Sequence, residues 1–238
     1  MSHTPPSRRD LLKLAGATAG ASLVHGAGTT SAAPAAAAEQ PARARRRPAR
    51  EPLKALTPHE ADLLDRIAEL LVPSDDLGPG ATEAMAVRYI DRALAGALSD
   101  QRDAYRVGLE ALERYAKQTR GAAFLQLPDT KQISLLIDVE SGTATGANVG
   151  FAGSSAQFFG LVRGHVMQGT FGDPYYGGNE GFVGWDLIGY PGVRTVVTPN
   201  EQKLLTPPTR VRTSAYENPM FNKAIVQQKP AGSDRDAD

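Results

Sequence analysis

The sequence predicts a mainly α fold, a compact bundle of about five helices followed by an ordered glycine/aromatic loop, and three observations predict it. Apolar residues recur at three- and four-residue spacing in five segments between residues 57 and 169, each bounded by capping or breaking residues. No strands alternate with those segments, which disfavours Rossmann-type and barrel architectures. Between Gly169 and Gly192 the chain concentrates eight of its 24 glycines, its one Trp and six of its fifteen aromatic residues. Glycine suits left-handed or closely approached backbone, and buried rings offset the entropy of fixing it. The segment therefore reads as an ordered loop against another surface, not as a flexible spacer.

Thr57-Pro58-His59-Glu60 opens the first helix with a capping box and Pro at the first helical position. Leu63, Leu64, Ile67, Leu70 and Leu71 form its apolar face, and Pro73 with the Asp75–Gly80 turn cluster ends it. Thr82 is expected to cap a second helix with Met85, Tyr89, Ile90, Ala93, Leu94 and Ala97 inside. A third runs from about Asp100 to Gln118, burying Tyr105, Leu109, Leu112 and Ala116 with Glu113 mostly outward, and Gly121 follows its C-cap. Pro128-Asp129 starts a fourth with Ile133, Leu136 and Ile137 inside, and Ser141–Gly150 is a loop. Ser154 or Ser155 caps a fifth, carrying Phe158, Phe159, Val162, Val166 and Gly169 on one face and delivering the chain to the aromatic loop. Val193–Val197 is the one short stretch with strand character.

Outside this domain the N-terminus carries the stronger signal. Ser7-Arg8-Arg9-Asp10-Leu11-Leu12-Lys13 has the arrangement of a twin-arginine export signal, with Arg8 and Arg9 as its basic pair. The apolar stretch Leu11–Val24 is too mild for a spanning helix, which needs about 20 apolar residues. Small-x-small sites such as Ala33-Pro34-Ala35 place cleavage within 33–38. The chain thus divides into a signal over 1–38, an Arg/Pro-rich linker over 39–55, a helical domain over 56–198 and a polar, partly disordered tail over 199–238. The twin-arginine translocase is an expected partner, and its route suits cargo that is already folded.

Removing residues 1–38 leaves 23 basic against 25 acidic residues, so no large field of one sign is expected and nucleic acid is disfavoured as a partner. Cysteine is absent, which excludes disulfides and thioether-linked haem in this chain. His59 and His165 are far apart in sequence, so no histidine cluster with metal-ligand spacing exists. Gly177-Gly178-Asn179-Glu180-Gly181 lacks the preceding strand and following helix of a phosphate loop. His165 with Asp173 and Glu180 is a conceivable acid/base group, although a histidine at the edge of an apolar helix face is more often a packing residue. No catalytic, cofactor or metal residue is assigned. A free-standing exported enzyme using His165 and nearby carboxylates, or an envelope protein, remains the alternative.

Leu-Val-Pro-Ser-Asp at 71–75, the Phe158-Phe159 helix, Asp173-Pro174-Tyr175-Tyr176-Gly177-Gly178-Asn179, Gly184-Trp185 and Gly189-Tyr190-Pro191-Gly192 together resemble the gluconate 2-dehydrogenase subunit 3 family over roughly residues 56–194. The resemblance implies a small, non-catalytic subunit of a membrane-associated sugar or polyol dehydrogenase. Its large subunit, a flavoprotein of the glucose-methanol-choline type, would hold FAD, and a multihaem cytochrome c subunit often receives the electrons. The small subunit would carry the export signal for both, so a periplasmic or cell-envelope location is expected. The expected partner interface is Phe171, Asp173, Pro174, Tyr175, Tyr176, Gly177, Gly178, Asn179, Trp185, Tyr190, Pro191 and Gly192, since aromatic residues on a glycine scaffold are the composition of interface anchors.

Overall fold

The computed structural model describes residues 51–221 except 147, 195, 204–208 and 219. Arg8, Arg9, the cleavage region, most of the 39–55 linker and the end of the tail lie outside the described residues. Six α-helices occur among the described residues: α1 (Pro58–Leu71), α2 (Ala86–Leu94), α3 (Arg102–Arg120), α4 (Asp129–Glu140), α5 (Ser155–Phe171) and the short α6 (Val183–Leu187). The fold is mainly α, and no described helix is long and apolar enough to cross a membrane.

The first and fifth helices start where the sequence places them. Thr57 Oγ1 accepts the Glu60 N–H while the Glu60 carboxylate accepts the Thr57 N–H, and Ser154 and Gln157 repeat this box at α5. Each box satisfies donors that the first helical turn leaves without partners. Gly121, at φ 80°, closes α3 in the left-handed conformation that a side chain would resist. The expected faces of α3 and α5 are buried throughout.

Four expectations change. The second helix begins at Ala86, after Met85 in a left-handed conformation, and Thr82 lies in a preceding turn. Because the helix stops at Leu94, Ala97 is exposed, and Val87 and Asp91 join the inner face instead. The fourth helix is rotated: Gln132, Leu135, Leu136 and Val139 are buried, whereas Ile133 and Ile137 face out at 46% and 57% exposure. The cause is Gln132, which donates to Phe124 O at 2.8 Å and accepts from Arg66 Nε at 2.7 Å, so a satisfied polar side chain takes the inward position. Glu113 also turns inward to accept the Phe124 N–H at 3.2 Å. The described residues of Val193–Val197 carry no strand assignment.

Helix α5 contacts each of the other five helices. Phe158 sits over Gly108 of α3, and Gly169 lets α5 cross close to α2, where a Cβ on Gly169 would fall 2.7 Å from Ala86 O. The entry into α1 is held by Asp91 of α2. This buried carboxylate accepts the backbone N–H groups of Lys54, Ala55 and Leu56 at 2.8–2.9 Å. Charge-assisted bonds of this kind fix the incoming chain against the bundle.

The rotated α4 makes a measurable distinction. Leu135→Ala is expected to cost about 2–5 kcal/mol, because it opens a cavity at a fully buried site. Ile137→Ala is expected to stay within about 1 kcal/mol of wild type. Chemical denaturation of the two variants reads the difference, and equal costs would contradict the observed helix phase.

Candidate partner interface

At its C-terminus α5 leaves carbonyls that the helix itself cannot pair, and the aromatic loop folds back to meet them. Asn179 is fully buried in a left-handed conformation; its backbone N–H donates to Gly169 O at 2.7 Å and its side-chain amide to Gly172 O at 2.8 Å. Its Oδ1 accepts the Gly184 N–H at 2.8 Å, which starts α6. Trp185 Nε1 donates to Phe171 O at 2.9 Å. Such proximity needs glycine: a Cβ on Gly178 would fall 2.1 Å from Gly169 O, and one on Gly184 would fall 1.8 Å from Thr170 O.

The rings divide into two groups. Trp185 is buried between Phe182 and Tyr190, with ring centroids 5.3 and 4.8 Å away. Tyr175, Tyr176 and Tyr190 are exposed at 57%, 49% and 39%. Tyr175 meets Tyr176 edge-on at 5.3 Å and Tyr216 at 4.1 Å, while the Tyr176 and Tyr216 hydroxyls are hydrogen-bonded. That bond, with burial and neighbouring charge, pushes the Tyr176 hydroxyl up to about 12. Gly177, at φ 97°, closes the 3-10 turn Pro174–Tyr176, and its carbonyl accepts from Arg88 Nε at 2.5 Å. Of the expected interface residues, then, Asn179 and Trp185 build the loop from inside, and the three tyrosines present rings to solvent.

The tail takes part, which the sequence reading had not foreseen. Asp173 caps the Pro174–Tyr176 turn and also accepts from Ser214 Oγ at 2.6 Å and Ala215 N at 2.8 Å. The Val211 N–H donates to Pro191 O at 2.8 Å, and Arg212 pairs with Asp186. Residues 209–217 thereby lie along the loop. Ser214-Ala215-Tyr216-Glu217 forms a capping box, a signature visible in the sequence that could have marked this segment as ordered.

The conceivable acid/base group is engaged in separate places. His165 shares a 2.8 Å hydrogen bond with the Tyr105 hydroxyl and stacks on its ring, Asp173 serves the tail, and Glu180 pairs with Arg88. Burial lowers the His165 pKa and raises that of Tyr105, so both are neutral near pH 7. No group of three or more metal-ligating side chains occurs among the described residues.

The family model for gluconate 2-dehydrogenase subunit 3 matches residues 58–192, from the first residue of α1 to the end of the aromatic loop. No curated protein and no solved structure matches the chain.

A pH dependence follows from His165. Its folded pKa lies below the unfolded value of about 6.5, so the unfolded chain binds the extra proton and folding stability falls as pH drops through this window. Denaturation at pH 7.5 and pH 5.5 is expected to show this loss, and His165→Gln is expected to shrink it. An unchanged pH profile in the variant would assign the loss to other groups. Asn179→Ala, which removes two side-chain bonds at a buried site, is expected to cost about 2–4 kcal/mol and to broaden the amide signals of 172–192.

Proposed function

The chain belongs to the gluconate 2-dehydrogenase subunit 3 family, accessory subunits of dehydrogenase complexes, and on that premise we propose that it is the non-catalytic small subunit and export escort of an FAD-dependent sugar or polyol dehydrogenase. It docks the flavin-bearing large subunit of the glucose-methanol-choline type through the outer side of its aromatic loop. A cytochrome c subunit completes the electron path. Arg8 and Arg9 recruit the twin-arginine translocase, which carries the assembled pair to the periplasm or cell envelope, where the partners hold it at the membrane.

One observation carries the docking assignment. Nine of the thirteen exposed large apolar side chains among the described residues come from Tyr175 onward, although the five long helices supply most of the apolar residues. Tyr175, Tyr176, Ile188 and Tyr190 stand on the loop, and Val211 joins them through the tail. Leu77, 78% exposed, belongs to the turn whose Gly78 lies against Leu187 of α6. Exposed apolar area on a rigid, hydrogen-bonded scaffold favours association, because little conformational freedom remains to be lost on binding. Tyrosine suits such a surface, since it combines a large ring with a polar tip.

The large subunit expressed with and without this chain tests the proposal: exported, FAD-loaded protein is expected only with it. Normal export and activity without it would overturn the escort role. Lys substitution of both Arg8 and Arg9 is expected to leave the complex in the cytoplasm. Tyr175→Ala is expected to change the melting temperature little, since the ring stacked on it belongs to the tail and not to the helical core, and to weaken the complex by about 2 kcal/mol or more. Trp185→Ala, by contrast, is expected to lower the melting temperature, because its ring and indole N–H hold the loop together.

A further inference from the structure

Beside the loop, the lead-in residues 51–54, Asp65 of α1, the 82–85 turn and α2 enclose a cleft of about 200 Å³. Leu53, Met85 and Val87 supply its apolar walls, and Arg88 and Arg92 bring two guanidinium groups to it. Both guanidinium groups bind one carboxylate: Glu51 accepts from Arg88 at 3.1 Å and from Arg92 at 2.8 Å. Hydrogen bonding to Arg92, with the field of both cations, holds the Glu51 carboxyl below its ordinary range.

Glu51 is a loosely owned ligand. It stands on the lead-in before the segment that Asp91 anchors, and its side chain is 46% exposed. Ion pairs with a solvent-exposed partner are weak because water competes for both charges, so exchange of Glu51 costs little. Two donors of the cleft residues are unused: Arg92 Nε and Thr82 Oγ1 are buried and have no hydrogen-bond partner among the described residues. Buried donors without partners are rare in folded proteins, and a water or an incoming acceptor would satisfy these two. Arg88 also holds Gly177 O and pairs with Glu180, so the cleft and the aromatic loop share one side chain.

We propose that the Arg88–Arg92 pair is a carboxylate-receiving site for an acidic side chain of the large subunit, and that Glu51 fills it in the free chain. The site rests on the docking reading above, and extends that interface from the tyrosine rings across Gly177 into the cleft. A partner carboxylate forms a forked bond with the arginines, and the residue beside it meets Leu53 and Met85. Glu51 is thus a competitor whose removal favours the complex.

Competition has a sign that a purely structural Glu51 does not share. In binding measurements at low salt with the full chain, Glu51→Gln is expected to tighten the complex about two- to fivefold, Arg92→Gln to weaken it, and Glu51→Gln to give no gain in an Arg92→Gln background. An unchanged or weaker complex for Glu51→Gln, in a chain that melts like wild type, would overturn the proposal. A partner-free measurement separates this from failure of the docking reading. Millimolar glutarate is expected to shift the Nε–H resonances of Arg88 and Arg92 saturably in Glu51→Gln, and in wild type only at several-fold higher concentration. Absence of a saturable shift would remove the site even if the complex forms.

Discussion

The structure depends on how the last turn of α5 finds hydrogen-bond partners. Gly169 and Thr170 in the last turn of α5 are buried, so its final carbonyls cannot be left to water, and here the chain that follows supplies the donors. Asn179 and Trp185 provide them, and glycines at 178 and 184 allow the backbone to come close enough. The loop's unusual composition is therefore a consequence of helix termination: small residues face the helix end, and the large rings have nowhere to go but sideways into a minor cluster or outward. Because α5 touches all the other helices, the loop takes its position from the whole bundle. That gives an irregular segment the rigidity of regular structure.

Much of this was legible from local chemistry. Thr57 and Ser154 each stand three residues before a Glu or Gln, and both boxes form; Gly121 ends α3. What could not be read were the positions where a distant polar partner overrules the apolar pattern. Ile133 and Ile137 look like core residues until Arg66 and the Phe124 carbonyl draw Gln132 inward, and neither lies near Gln132 in the alternation of apolar residues that periodicity weighs. Asp91 is another case, a charged residue made internal by three backbone N–H groups from 35 to 37 residues away. For the aromatic loop the sequence marked an ordered segment without distinguishing its two sides. Trp185 and Tyr175 have similar apolar character, and their partners separate them: Phe171 O, Phe182 and Tyr190 hold the Trp185 ring inside, while Tyr175 meets Tyr176 and Tyr216 at the surface.

The tail shows where order in a polar stretch comes from. A polar stretch punctuated by Pro carries few apolar residues with which to build a core, yet 209–217 needs no core of its own. It borrows one, laying Tyr216 on Tyr175 and offering backbone donors to Asp173 and Pro191. The outer surface of the domain is accordingly a composite of loop and tail.

The three-pronged grip of Asp91 on residues 54–56 also has a mechanical meaning. Pulling on the lead-in loads α2 as well as α1, because Asp91 holds three of its amides and Arg88 and Arg92 hold the Glu51 carboxylate. Strain arriving at residue 51 is thereby spread over two helices, so the first turn of α1 does not have to bear it alone.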